Sequence, residues 1–321
     1  MGSLIRDLAI ARRGFQNYFT KKPLCISFEV TYRCNARCGH CHLGGPVDED
    51  PAPPERFGEI CRELKPVVAQ ISGGEPLLRR DLIEIVQELR VPNSTPMVVV
   101  TTNASLLTRD KYYALKGVGV DEFSISLDFP DKRHDEFRSL PGLFKKIDDL
   151  LRDLRREEDK GIVLASVVQS KNYRELIKIA EFARDHGVRV SFSTYTWLRT
   201  QDKSWMIDRD QLPELRRILD QLLAFRDRYG TVITSEYVFD RMLRFFETER
   251  VPGCRAGERF LVVNPAGTIS PCGLILGSYA SQQDVVENFL RCNTCESCNT
   301  SIRANTEKHW LTLVRDAMRS R

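Results

Sequence analysis

From residue 24 to residue 196 the chain alternates short apolar, β-branched runs with longer amphipathic stretches. "LCISFEV" (24–30), "PVVAQIS" (66–72), "PMVVVTT" (96–102), "DEFSISL" (121–127), "GIVLASVV" (161–168) and "VRVSFST" (188–194) have the length and composition of strands. Helical patterning falls between them, near 54–64, from Arg80 to Leu89, after Thr108, near 141–157 and over "YRELIKIAEFARDHG" (173–187), which stops at a glycine. Strands separated by helices in this way predict parallel βαβ units. Six of them predict an α/β fold, a partial (β/α)6 TIM-like barrel. One more helix is expected at 209–228. After about residue 250 the texture turns to glycine, cysteine and short strands ("RFLVV", "TISPC"), closed by a helix at 307–319. The expected organisation is an N-terminal helical extension (1–23), a barrel core (24–230) and a small cysteine-rich domain (231–321). Leu4, Ile5, Leu8, Ile10 and Phe15 give the extension an amphipathic pattern that suits docking onto the barrel, with a membrane-surface helix as the alternative.

The distinctive polar clusters share one address. "TYRCNARCGHC" follows the first strand, "SGGEP" the second, "TTN" the third, "SLD" the fourth, "QSKN" the fifth and "YTW" the sixth. All fall at C-terminal strand ends, which in (β/α) barrels form one shared mouth where active sites sit.

Bulk composition narrows the picture little. Hydrophobic residues make up 42% and charged residues 29% of 321 positions, as in an ordinary globular chain. A net charge of +4, from 48 basic and 44 acidic residues, gives no nucleic-acid signal. No apolar run approaches a membrane span, and the start lacks a secretion signal. The ten cysteines change more: they cluster at 34–41 and 254–298, a spacing that argues for metal rather than disulfides and for a cytoplasmic location.

Cys34, Cys38 and Cys41 form a C-x3-C-x2-C array. Three thiolates are one short of a closed structural metal site. A cubane [4Fe–4S] cluster held by three protein ligands keeps its fourth iron open for an exogenous ligand, such as an amino acid's amine and carboxylate. A zinc knuckle completed by His40 or His42 is the competing reading.

"CNARCGHC" with "SGGEP" after the second strand resembles the radical S-adenosylmethionine (SAM) superfamily, over residues 24 to about 196. The resemblance implies that Cys34, Cys38 and Cys41 ligate the cluster and that Gly73, Gly74 and Glu75 meet the methionine amine of SAM. It further implies cofactor contacts from Ser126 and Asp128, with Asn103 and Arg138 as additional carry-overs. The activity implied is reductive cleavage of SAM to a 5′-deoxyadenosyl radical, which takes a hydrogen atom from the substrate. An electron donor such as flavodoxin or ferredoxin and a small-molecule or peptide substrate follow from it.

"CRAGERFLVVNPAGTISPC" reads C-x12-G-x4-C over Cys254, Gly267 and Cys272, and "CNTCESC" adds Cys292, Cys295 and Cys298. This resembles the SPASM and twitch auxiliary-cluster domains. Five cysteines fit the twitch form, with one [4Fe–4S] cluster and a thiol to spare; which two of the last three ligate it is open, as is a zinc ribbon. Such a cluster implies an oxidation (dehydrogenation) or a peptide or natural-product modification. An epimerase would need a hydrogen donor, Cys61 or the spare thiol, and a non-catalytic zinc or iron–sulfur module is the reading from another class. Residues 1–23 are too few for a leader-peptide-binding domain. Cys25 and Cys61 are expected in the core, Tyr195 and Trp197 at the barrel rim, and His134 on the surface.

Overall fold

The computed structural model describes residues 2–44, 47–92, 94–155, 157, 160–275 and 277–319. Helix α1 (Gly2–Thr20) leads into strand β1 (Cys25–Thr31). Then come α2 (Pro54–Leu64), β2 (Val68–Gly73), α3 (Leu82–Leu89), β3 (Met97–Thr102), α4 (Arg109–Val118) and β4 (Glu122–Ser126). After α5 (Arg133–Arg138) and α6 (Leu143–Asp153), β5 (Ile162–Val168), α7 (Leu176–Asp185) and β6 (Arg189–Thr194) complete the sixth unit. Two helices follow, α8 (Leu212–Tyr229) and α9 (Glu236–Thr248), then β7 (Phe260–Val263), β8 (Ile269–Ser270), α10 (Gln282–Asn288), α11 (Ser301–Thr306) and α12 (Trp310–Arg319).

The sheet runs β6-β5-β4-β3-β2-β1-β7-β8, parallel throughout except for the β7–β8 pair. Period-two alternation divides each strand between two environments. On β1, Ile26, Phe28 and Val30 are completely buried on the helix side, where Phe28 meets Phe57 of α2 edge-on with ring centroids 6.2 Å apart. The alternate residues form a polar, half-buried inner wall: Ser27 and Ser72 are hydrogen bonded Oγ to Oγ at 2.7 Å, and Gln70 Nε2 donates to Thr101 Oγ1 at 2.9 Å. The expected six-unit α/β barrel is therefore present, and the sheet stays open, with β6 and β8 at its two edges.

Four features depart from the sequence reading. Strand β7 pairs in parallel with β1, so one sheet crosses the boundary expected at residue 231; its "FLVV" is buried at every position and covers the β1 edge. Helix α9 was not anticipated, although its buried Val238, Phe239, Met242, Leu243, Phe245 and Phe246 repeat at helical spacing. The helix expected over 141–157 is preceded by a separate α5, ended at Ser139, whose φ is +53°, before α6 begins after Gly142. Helix α1 docks, but not through Leu8 and Phe15, which are exposed; the Leu4 and Ile5 side chains lie outside the described residues. Its contacts are polar: buried Asn17 donates to Pro23 O and Lys65 O, and the Arg259 guanidinium stacks 3.6 Å from the Tyr18 ring centre. Among the described residues no helix is long and apolar enough to cross a membrane.

Phe123 of β4 is fully buried, with its ring 5.3 Å from that of Tyr112 on α4. Replacing it with alanine is expected to cost about 3–5 kcal/mol, a lost aromatic plus an uncollapsed cavity, measured by denaturant unfolding of the metal-free protein.

Candidate functional site

The loop carrying Cys34, Cys38 and Cys41 leaves β1 at the barrel mouth, and the ends of the neighbouring strands hold it. Gly74 N–H donates to Thr31 O at 2.7 Å and Glu75 N–H to Arg33 O at 2.9 Å. Gly74 has no alternative here, because a Cβ would stand 2.1 Å from Arg33 O. Beyond β3, Asn103 Nδ2 donates to Asn35 Oδ1 at 2.9 Å, and Asn35 Nδ2 donates to Ser105 Oγ at 2.8 Å. From the α5 side, Arg37 N–H donates to Arg138 O at 3.2 Å and Ser139 Oγ–H to Arg37 O at 3.1 Å. Three separate motifs thus fix one short loop. None of its thiols is in a disulfide; Cys38 is buried and the others half-buried. Burial pushes Cys38 up to about 11 and raises Cys34 as well, so both are thiols in the metal-free protein and release protons on ligation.

Glu75 is completely buried and its carboxylate is occupied. Oε1 accepts from Thr102 Oγ1 at 2.6 Å and Leu77 N at 3.1 Å, and Oε2 accepts from Asn103 N at 2.7 Å. Burial raises its pKa, and these donors only partly offset that. The carboxylate thereby ties the turn after β2 to the end of β3.

Asp128 is likewise fully buried. Its Oδ2 receives Arg138, with Nε at 3.0 Å and Nη2 on the same oxygen, while Oδ1 accepts from Val167 N at 3.0 Å. Burial alone would push this carboxyl up; Arg138 outweighs it and holds it below the usual carboxylate range. Arg138 in turn lies within electrostatic reach of Cys38 and Cys41. The pair therefore acts beneath the cysteine loop, with neither Asp128 oxygen left unbonded. Ser126 is half-buried at the end of β4. His134, expected on the surface, is buried: its Nδ1 accepts from Asp128 N–H at 3.2 Å, and desolvation drives it down to about 4. His40 stacks on Phe137 at 4.8 Å and is also pushed down to about 4 by burial, leaving Nδ1 without a partner.

The C-terminal cysteines gather at a second place. Cys254, Cys272, Cys295 and Cys298 line one cavity of about 210 Å³, walled on the barrel side by Ser27 and Glu29 of β1 and by Phe260 and Val262 of β7. The expected hairpin exists, β7 turning to β8 through Gly267 at φ +72°. Cys292 is exposed and does not line the cavity. Arg199, from the segment after β6, ties this region to the barrel: Nη2 donates to Glu29 Oε1 at 3.0 Å and Nε to Gly273 O. Glu29 is raised by burial, against which Arg199 works, and its Oε2 has no hydrogen-bond partner. Sequence reading passed over Glu29 and Arg199; the one charged residue of β1, on the same strand face as Ser27, was the available signal.

The remaining cysteines stay away from both places. Cys61 packs in the hydrophobic core on α2, and Cys25 is buried at the start of β1. Tyr195 is buried with its hydroxyl on Thr200 Oγ1 (2.6 Å) and Asp202 O (2.7 Å), while Trp197 lies under Lys203. Among the described residues, no three His, Cys, Asp or Glu side chains converge as a single metal ion would require.

The profile of the Radical SAM superfamily matches residues 28–212, and the chain belongs to that superfamily. AdoMet-dependent heme synthase from Methanosarcina barkeri is 27% identical over 282 residues, covering 80% of this chain and 78% of that one. The antilisterial bacteriocin subtilosin biosynthesis protein AlbA of Bacillus subtilis is 26% identical, covering 78% of this chain but 55% of its own. The crystal structure of Streptococcus suis SuiB bound to S-adenosylmethionine superposes with a TM-score of 0.63 at 18% identity, over 92% of this chain and 66% of SuiB; that likeness shows the fold, an open, mostly parallel partial barrel. Membership makes the chain a radical SAM enzyme and implies a [4Fe–4S] cluster and SAM.

Arg138→Met, which strands Asp128 as a buried uncompensated charge, is expected to destabilise the metal-free protein by about 3–5 kcal/mol. Adding Asp128→Leu to that variant is expected to recover a large part of the loss. Denaturant unfolding of the wild type, both single variants and the double variant measures the coupling.

Proposed function

We propose that Cys34, Cys38 and Cys41 hold the SAM-binding [4Fe–4S] cluster and that Cys254, Cys272, Cys295 and Cys298 hold a second one, in an enzyme that oxidises a polar small molecule or a peptide. The observation that carries the reading is the shared cavity. Four cysteines line a space whose opposite wall is β1 of the barrel, so an electron acceptor held there adjoins the barrel interior. Both donor sets fit their groups. The first offers three free thiols and no fourth, on a loop held by two strand ends and the end of α5. The second offers four, the number that closes a cluster's coordination.

With SAM and both clusters bound, the groups supply a radical able to abstract an unactivated hydrogen atom and an acceptor for the second electron of an oxidation. The chain's own residues place these groups and choose the substrate. Gly73, Gly74 and Glu75 present backbone to the methionine end of SAM, close approach being possible because the two glycines have no side chain. Asn103 anchors the cysteine loop, Ser126 is free to contact the cofactor, and Asp128 and Arg138 support the loop from below. Ser27, Gln70, Ser72 and Thr101 give the interior a hydrogen-bonding wall that suits hydroxyl or amide groups. Flavodoxin or ferredoxin is the class of donor that supplies the electron.

Epimerisation is disfavoured by position. Cys61 is buried in the core on α2, and Cys292 is exposed to solvent outside the cavity, neither a setting that suits a hydrogen donor to a shielded substrate radical.

After anaerobic reconstitution the wild type is expected to carry about eight irons per chain, falling to about four in Cys295→Ala and staying near eight in Cys292→Ser. Four irons in the wild type, or loss of iron on changing Cys292, would contradict the second site as assigned.

A further inference from the structure

Behind the four-cysteine cavity lies a charge arrangement that the ligand assignment leaves unexplained. Arg303 of α11 is completely buried. Its Nη1 donates to Cys298 O at 2.8 Å and stands 3.5 Å from Cys298 Sγ. Nη2 donates to Val251 O at 2.6 Å, and Nε reaches Glu307 at 3.1 and 3.2 Å. Glu307 is itself shared: Arg241 bonds the same carboxylate, which also accepts from Arg255 N at 2.7 Å. Two guanidiniums, Arg303 fully buried and Arg241 half-buried, thus divide one largely enclosed carboxylate, leaving a net positive charge. A buried charge without a counter-charge is costly, and the groups facing this one are thiols.

We propose that Arg303 is a positioning residue that fixes the Cys298 ligand and raises the reduction potential of the cluster held by Cys254, Cys272, Cys295 and Cys298. The proposal rests on the second-cluster reading above. A cluster ligated by four thiolates is anionic and becomes more so when it takes an electron. A guanidinium at low dielectric favours the more negative, reduced form, and an N–H aimed at a ligating sulfur withdraws density from it; both raise the potential. Arginine rather than lysine suits the place, since its rigid fork bonds Cys298 and Val251 with one edge while Nε holds Glu307. Glu307 is the opposing element, tempering the cation and locking its orientation. The effect makes the second cluster a better acceptor of a substrate's electron.

The test uses the full chain with Cys34→Ala, Cys38→Ala and Cys41→Ala together, so that only the second cluster is loaded. Its potential is read by dithionite titration followed by electron paramagnetic resonance. Arg303→Gln is expected to keep its iron and shift the reduction equilibrium about tenfold toward the oxidised form, about 59 mV for a one-electron step. Arg303→Lys, which keeps the charge and loses the fork, should fall between, and Glu307→Gln should shift the opposite way. An unchanged potential in Arg303→Gln at full iron content would overturn the proposal. Should Arg303→Gln fail to hold a cluster, Glu307→Gln decides, an unchanged or lowered potential overturning it and a raised one supporting it. Absence of iron from the parent triple-alanine protein would overturn the second-cluster reading, and this proposal with it.

Discussion

A carboxylate with no access to solvent, Asp128, holds an arginine under the loop that carries three cysteines, and much of the mouth is arranged around that pair. The charges sit where burial is expensive, so both ends must be bonded fully. Asp128 meets this with Arg138 on one oxygen and the backbone of β5 on the other. The consequence is positional. The end of β4 is joined to the end of β5, and the last turn of α5 is pinned where its carbonyl receives Arg37 of the cysteine loop. Glu75 does the same work at the other side, joining the ends of β2 and β3 through Thr102 and Asn103. Two buried acids therefore convert four parallel strand ends into a rigid rim, and the loop is laid across it. The cluster proposed for these three cysteines needs such a support, because they lie on a segment with little regular structure of its own.

The second cysteine site obeys a related constraint. The cysteine-rich segment is built directly onto the barrel: β7 extends the barrel sheet, Asn299 donates to Thr194 at the end of β6 at 2.9 Å, and Arg199 reaches from the barrel to Gly273. This attachment places the proposed electron acceptor against β1 rather than at the end of a tether. It also explains why the division at residue 231 is invisible in the sheet, although the change in sequence texture is real.

Much of the barrel was legible because parallel strands buried on one face are apolar runs of limited length, and helices between them carry a 3.6-residue period. Each of the six strands lies within one or two residues of its expected span. The three-cysteine loop and "SGGEP" were legible together, since each is weak alone but both fall at the ends of neighbouring strands. What failed had physical causes. His134 reads as a surface residue because histidine in a loop is commonly exposed, whereas here its ring accepts from the backbone of Asp128. That Glu75 also bonds Thr102, Leu77 and Asn103 shows only in the folded chain. The pairing of β7 with β1 joins residues more than 230 positions apart in sequence, which no local pattern encodes. Separating Cys292 from Cys295 and Cys298 required the turn between them, since spacing treats all three alike.

The most direct test of the central account is the formation of 5′-deoxyadenosine by the anaerobically reconstituted protein given SAM and dithionite, beside the Cys38→Ala variant. The account predicts 5′-deoxyadenosine from the wild type and none above background from the variant, with the second cluster's iron retained. Cleavage that survives the loss of Cys38, or a wild type that takes up zinc and leaves SAM intact, would contradict it.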